Sequence, residues 1–241
     1  MSSLRSRSGP ERRTIRAAAL LGVTLVGACS RQYPPDPAHD VDVPAADGIV
    51  LKGSYYSPGK PGPAVLLIHQ CNMDRHAWET LTPDLVAAGF HVLTYDQRGF
   101  GSTGGRADQE KAGGDADAAL GYLMEKPEVD KGRIAAGGAS CGVTWSAALA
   151  SRHPEVKALV LLSGWTDDRS RAYIAATPAL AVFGAAADYQ SDARDIRQAV
   201  AASKHPQSIA TIVRGSGHGV SMFASDADLK PAIVTWLRGQ L

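Results

Sequence analysis

The reading of this chain turns on Arg133-Ile134-Ala135-Ala136-Gly137-Gly138-Ala139-Ser140-Cys141-Gly142. Small, strand-compatible residues lead into Gly138-Ala139-Ser140-Cys141-Gly142, which fits G-x-S-x-G, and an alanine-rich run from Val143 to Ser151 follows. Strand, glycine-flanked serine and helix, in that order, are the parts of a nucleophile elbow. The serine sits on a strained strand-to-helix turn, and side chains two residues to either side would collide, so Gly138 and Gly142 are required by type.

Apolar segments alternate with helical ones on both sides of this stretch. Val41–Val43 and Gly48–Tyr56 read as an antiparallel pair, closed by a run rich in proline and glycine that ends at Pro63. Ala64–His69 is a continuous apolar run, as expected of a strand covered on both faces. Further strands are expected at Phe90–Tyr95, Arg133–Gly137, Val156–Leu162, Pro178–Phe183 and Ser208–Val213. Helices are expected at Trp78–Ala88, Gly113–Lys126, Val143–Arg152, Asp192–Ser203 and Ala227–Arg238. The pattern predicts a mostly parallel sheet with helices on both faces. The short connection Ser163–Thr177 leaves no room for a large inserted cap.

The amino terminus is of a different kind. Arg5, Arg7, Arg12, Arg13 and Arg16 face one acid, Glu11, and the apolar run Ala17–Ala28 then stops at Cys29. A run of that length is too short to span a bilayer, which takes about 20 apolar residues, and it fits an export signal. Val26-Gly27-Ala28-Cys29 resembles the bacterial lipobox, in which the cysteine is lipidated and becomes the new first residue. A plain signal peptide cut near Ala28 is the alternative. Arg12-Arg13 loosely resembles a twin-arginine signal without its usual preceding Ser or Thr, so the export route stays open. The expected divisions are a signal at 1–28, a lipidated, proline-rich tether at 29–40, and one domain at 41–241. The expected location is outside the inner membrane of a bacterium, anchored by Cys29. Without residues 1–28 the chain keeps 20 basic and 23 acidic residues, a net charge of −3. It holds no basic block, so nucleic acid is not an expected partner.

In an open α/β sheet, reactive groups gather at the carboxyl ends of strands. Asp188 follows the strand at 178–183 and His218 follows the last strand, in Gly215-Ser216-Gly217-His218-Gly219. With Ser140 the order is Ser, Asp, His. Asp96-Gln97-Arg98-Gly99-Phe100-Gly101-Ser102, after the strand that precedes the elbow strand, adds a turn that resembles D-x-R-G-x-G-x-S.

On these four features, residues 40–241 resemble the α/β-hydrolases, in particular the small, capless type similar to dienelactone hydrolases. The resemblance implies an eight-stranded, mostly parallel sheet and a serine hydrolase acting on a carboxylic ester or related acyl bond. Ser140 would be the nucleophile, His218 the general base and then acid, and Asp188 the group that orients His218. Asp167 and Asp168, after the strand 156–162, are rival acids. The oxyanion hole would use the backbone N–H groups of Cys141 and Cys71. Gln70 stands where the family usually has glycine, and its amide is a further candidate donor.

Relatives use cysteine as nucleophile, but Cys141 would be flanked two residues away by Ala139 and Val143, and valine would crowd the elbow. Gln70, Trp165, Tyr189 and Met222 are candidate pocket residues. His69 reads as structural. His76, His91, His153 and His205 show no metal-ligand spacing, so neither a metal nor a cofactor is expected.

In the strand order implied by the resemblance, the strands ending at Cys71 and Cys141 are neighbours, about 4.8 Å apart, within disulfide reach. A bridge between them is expected in an exported chain. A peptidase or thioesterase of the same fold, and a surface binding lipoprotein without turnover, are the other readings.

Overall fold

Gly62–Ile68 forms the strand β3, with Val65, Leu66, Leu67 and Ile68 almost wholly removed from solvent. The structure is a computed structural model and describes residues 38–187, 191–213 and 215–241. The expected signal and lipidation site fall outside the described residues.

Strands alternate their side chains between faces, and β3 shows it. Leu66 and Ile68 join one apolar layer and Val65 and Leu67 the other. The remaining strands are β1 (His39–Pro44), β2 (Val50–Tyr56), β4 (His91–Tyr95), β5 (Val129–Ala139), β6 (Val156–Leu162), β7 (Ala181–Ala187) and β8 (Ile209–Val213). They form one eight-stranded sheet in the order β1-β2-β4-β3-β5-β6-β7-β8. β2 runs antiparallel to β1 and β4, and all other pairs are parallel.

Helices cover both faces. The first layer packs α2 (Gln109–Met124), α3 (Cys141–Ala150), α4 (Asp168–Ala176) and α5 (Asp192–Ala202) through Leu120, Ala147, Ile174 and Ile196. The second packs α1 (Thr82–Ala87), α6 (Met222–Ser225) and α7 (Leu229–Gln240) through Leu85, Phe223 and Ile233. Removing one such side chain, as in Leu67→Ala, costs about 2–5 kcal/mol through lost transfer energy and an unfilled cavity.

Several boundaries differ from expectation. The helix expected at 78–88 is a 3-10 turn, Arg75–Trp78, followed by the shorter α1. Pro83 has no N–H to give and sits at the start of α1, where that loss is harmless. α2 starts four residues early because the Asp108 carboxylate accepts the Glu110 and Lys111 N–H groups. β7 runs on to Ala187 instead of ending at 183. α4 was not expected. Only Ser170 and Ile174 of its nine residues are buried, too few for a visible helical period.

The chain steps from β3 to β4 on one side and resumes with β5 on the other. Such a reversal opens a crevice at the carboxyl ends of the two strands. Here those ends lead to Cys71 and Ser140.

Candidate active site

Ser140 follows the last residue of β5 and adopts φ 51°, ψ −120°, a conformation rare for any residue with a side chain. Its N–H donates to the Leu162 carbonyl at 2.9 Å, and α3 begins at the next residue. The flanking glycines are forced. A methyl group on Gly138 would overlap the Gly142 carbonyl, and one on Gly142 would overlap the Ile68 carbonyl at the end of β3. The turn is thus wedged between two strands with no atom to spare.

The turn after β3 is fixed by His69 and Gln97. The Gln97 N–H donates to His69 Nε2 at 3.0 Å, so Nδ1 carries the proton and donates to the Gln70 carbonyl at 2.8 Å. Burial lowers the His69 pKa, which holds the ring in this neutral form. His69 is structural.

Gln70 is buried, and its amide is already engaged. Its Nε2 donates to Asn72 Oδ1 at 2.9 Å, and its Oε1 accepts the Val220 N–H at 3.2 Å. It does not line the crevice that holds Ser140, and one of its two amide N–H groups is given to Asn72.

Cys71 and Cys141 are joined in a disulfide with Cα atoms 5.9 Å apart. The bridge ties the residue after Ser140 to the turn after β3. The next layer of support is the turn after β4. Asp96 accepts from the Arg75 and Ser102 N–H groups, both at 2.7 Å, and pairs with the Arg75 guanidinium at 2.5 Å. Arg98 is held between Asp115 and Asp47.

His218 lies in the loop after β8. Ser221 Oγ accepts its N–H at 2.7 Å and donates to its carbonyl at 2.9 Å. Its Nδ1 stands 3.0 Å from Asp192 Oδ2, at the start of α5. Asp192 is the residue that the sequence did not reveal, because an acid opening a helix reads as ordinary N-terminal charge. Asp188 and Tyr189 lie outside the described residues. The rival acids are otherwise occupied: Asp167 caps α4 by accepting the Ser170 N–H, and Asp168 is fully exposed against Arg171.

A crevice of about 400 Å³ brings Ser140, Cys71 and Cys141 together with Phe100, Trp145 and Trp165. Trp165 is half exposed at its mouth, and its carbonyl accepts from Thr144 Oγ1 at 2.9 Å. Met222 does not belong to it. It is wholly buried in the second apolar layer, with its sulfur accepting from Ser163 Oγ. Closeness to His218 in sequence did not give its direction, because the intervening 3-10 turn rotates it into the core.

Residues 63–219 match the family model described as the alpha/beta hydrolase fold. Among characterised and uncharacterised relatives, the chain is 38% identical over 130 residues to an uncharacterized protein of Mycobacterium tuberculosis, covering 53% of this chain and 46% of that one. It is 33% identical over 125 residues to a thiohydrolase of Arthrinium phaeospermum, covering 50% and 41%. The chain thus spans less than half the length of these relatives. An alpha/beta hydrolase of Penicillium superimposes with a TM-score of 0.72 at 16% identity, over 85% of this chain and 99% of that one. An esterase of Pyrococcus furiosus gives 0.69 at 16% identity, over 85% and 91%. With the family model covering well over half its length, this chain belongs to the alpha/beta hydrolase family.

Proposed function

We propose that this protein is a serine hydrolase that cleaves a neutral carboxylic ester through an acyl-enzyme on Ser140. The observation that carries the reading is the strained Ser140 elbow opening into an apolar crevice. His218 takes the Ser140 proton as Oγ attacks the acyl carbon, then returns it to the departing alcohol. Water, activated by the same imidazole, releases the acid and restores the serine. The N–H groups of Cys71 and Cys141 receive the developing oxyanion. The carboxylate that orients His218 comes from the stretch between the end of β7 and the first residue of α5. Asp188 is assigned by resemblance, and Asp192 is supported by its 3.0 Å contact with Nδ1.

Neutral substrates are favoured over anionic ones because Arg98, the one cation among the described residues of the crevice lining, is already paired with both Asp47 and Asp115, and Asp108 adds an acid to that lining. An apolar cavity of roughly 150 Å³ holds one benzene ring, so about 400 Å³ accepts a group of two or three rings or a medium acyl chain. The short α4 in the β6–β7 connection supports the capless, dienelactone-hydrolase-like form. A thioester substrate is the second reading, favoured by the thiohydrolase relative.

A panel of p-nitrophenyl esters and acyl thioesters of increasing length tests both readings. Ser140→Ala is expected to lose at least about 10³-fold in kcat. Near-normal turnover by that variant would refute the mechanism.

We further propose, on the Val26-Gly27-Ala28-Cys29 pattern, that the enzyme lies outside the inner membrane, anchored through Cys29. The Cys71–Cys141 disulfide supports an oxidising compartment. Cys29→Ser should free the domain from membranes in fractionation, since the lipid supplies the anchoring. A variant that stays membrane-bound would contradict the anchor.

A further inference from the structure

Gln70 has no role in the mechanism above, yet it is buried at the end of β3 with both ends of its amide engaged. The backbone N–H of Val220 can only donate, so the atom facing it must be the Gln70 carbonyl oxygen. That contact crosses 150 residues of sequence and joins the β3 turn to the loop of His218.

The loop is poorly able to hold its own shape. Gly215, Gly217 and Gly219 all have positive φ, at 98°, 150° and 60°, and glycine loses more freedom on ordering than any other residue. Ser221 ties the loop to itself, whereas Gln70 ties it to the turn that also carries Cys71. Gly219 is shaped to this contact, since a methyl group there would overlap Gln70 Oε1. Gln70 and Cys71, adjacent in sequence, thus grip the histidine loop and the nucleophile turn respectively.

We propose that Gln70 is a positioning residue for His218, seating its loop against the nucleophile turn. This rests on the serine-hydrolase reading. A displacement of about 1 Å at such a distance from the chemistry can cost a hundredfold in rate.

The test uses the mature chain with Gln70→Met, of equal length without an acceptor, and Gln70→Glu, which restores one. With Glu, the Asn72 amide can turn to donate to the new carboxylate. Gln70→Met should lower kcat about tenfold to a hundredfold with KM within about twofold, and Gln70→Glu should recover most of kcat. A packing role predicts the reverse order, because Met would be tolerated and a buried carboxylate would not. Wild-type kcat in Gln70→Met, or worse turnover in Glu than in Met, would overturn the proposal.

Should Gln70→Met fail to fold, Gly219→Ala keeps the glutamine but pushes its oxygen away from the Val220 N–H. It should give the same kcat loss at constant KM, and normal kcat there would equally overturn the idea. Failure of the underlying reading looks different: the wild-type protein itself would not react with a fluorophosphonate at Ser140.

Discussion

His218 Nδ1 stands 3.0 Å from Asp192 Oδ2, a carboxylate contact between the loop after β8 and the first residue of α5. Nδ1 is the atom an orienting acid must hold if Nε2 is to take the serine proton. Two aspartates four residues apart therefore compete for one role. Asp188→Asn is expected to lower kcat by about 10³–10⁴-fold, as loss of the tautomer-fixing acid does elsewhere. Asp192→Asn is expected to lower it by about tenfold, through loss of one neighbouring charge. A larger loss in Asp192→Asn, measured on the same ester, would move the acid to Asp192.

The disulfide closes a loop with a sequence separation of 70 residues. In the chain-entropy account such a bridge contributes about 4 kcal/mol by restricting the unfolded chain. Cys71→Ala with Cys141→Ala should therefore unfold at clearly lower denaturant. It should also lose kcat, because the bridge links the two residues whose N–H groups would meet the oxyanion. Equal denaturation midpoints for variant and wild type would contradict the structural role, and equal kcat the catalytic one.

Gly142 offers a sharper mechanical test. An added methyl group would overlap the Ile68 carbonyl, a backbone atom that cannot rotate away. Gly142→Ala should lose most activity and at least about 2 kcal/mol of stability, as overpacking in a rigid site does. Full activity with an unchanged thermal midpoint would mean that the elbow is looser than described.

The buried histidines set a pH dependence. Burial lowers the pKa of both His69 and His91, and each makes hydrogen bonds suited to a neutral ring. The unfolded chain then binds more protons than the folded one as pH falls through about 6.5, so stability declines below that value. Unfolding followed from pH 7.5 to 5 should show this decline, reduced in His91→Gln. Stability that rises on acidification over that range would contradict it.

The sheet was legible because its strands are short apolar runs between turn residues, and the elbow because two glycines flank a serine at a strand end. The bridge between Cys71 and Cys141 followed from strand adjacency once the order was assumed. Other features were hidden for physical reasons. α4 buries one apolar side chain and one serine, which leaves no period to read. Asp192 looked like a helix-opening acid, and only the fold brings it against His218. Gln70 and Met222 lie next to the right residues in sequence but point into the interior, a direction that sequence proximity does not encode.

The most direct test of the account is to treat the protein with a fluorophosphonate and locate the adduct by peptide mass spectrometry. The account predicts a single stoichiometric adduct on Ser140, lost in Ser140→Ala and greatly slowed in His218→Ala. A protein that binds no reagent, or carries it on another residue while Ser140 stays unmodified, would contradict it.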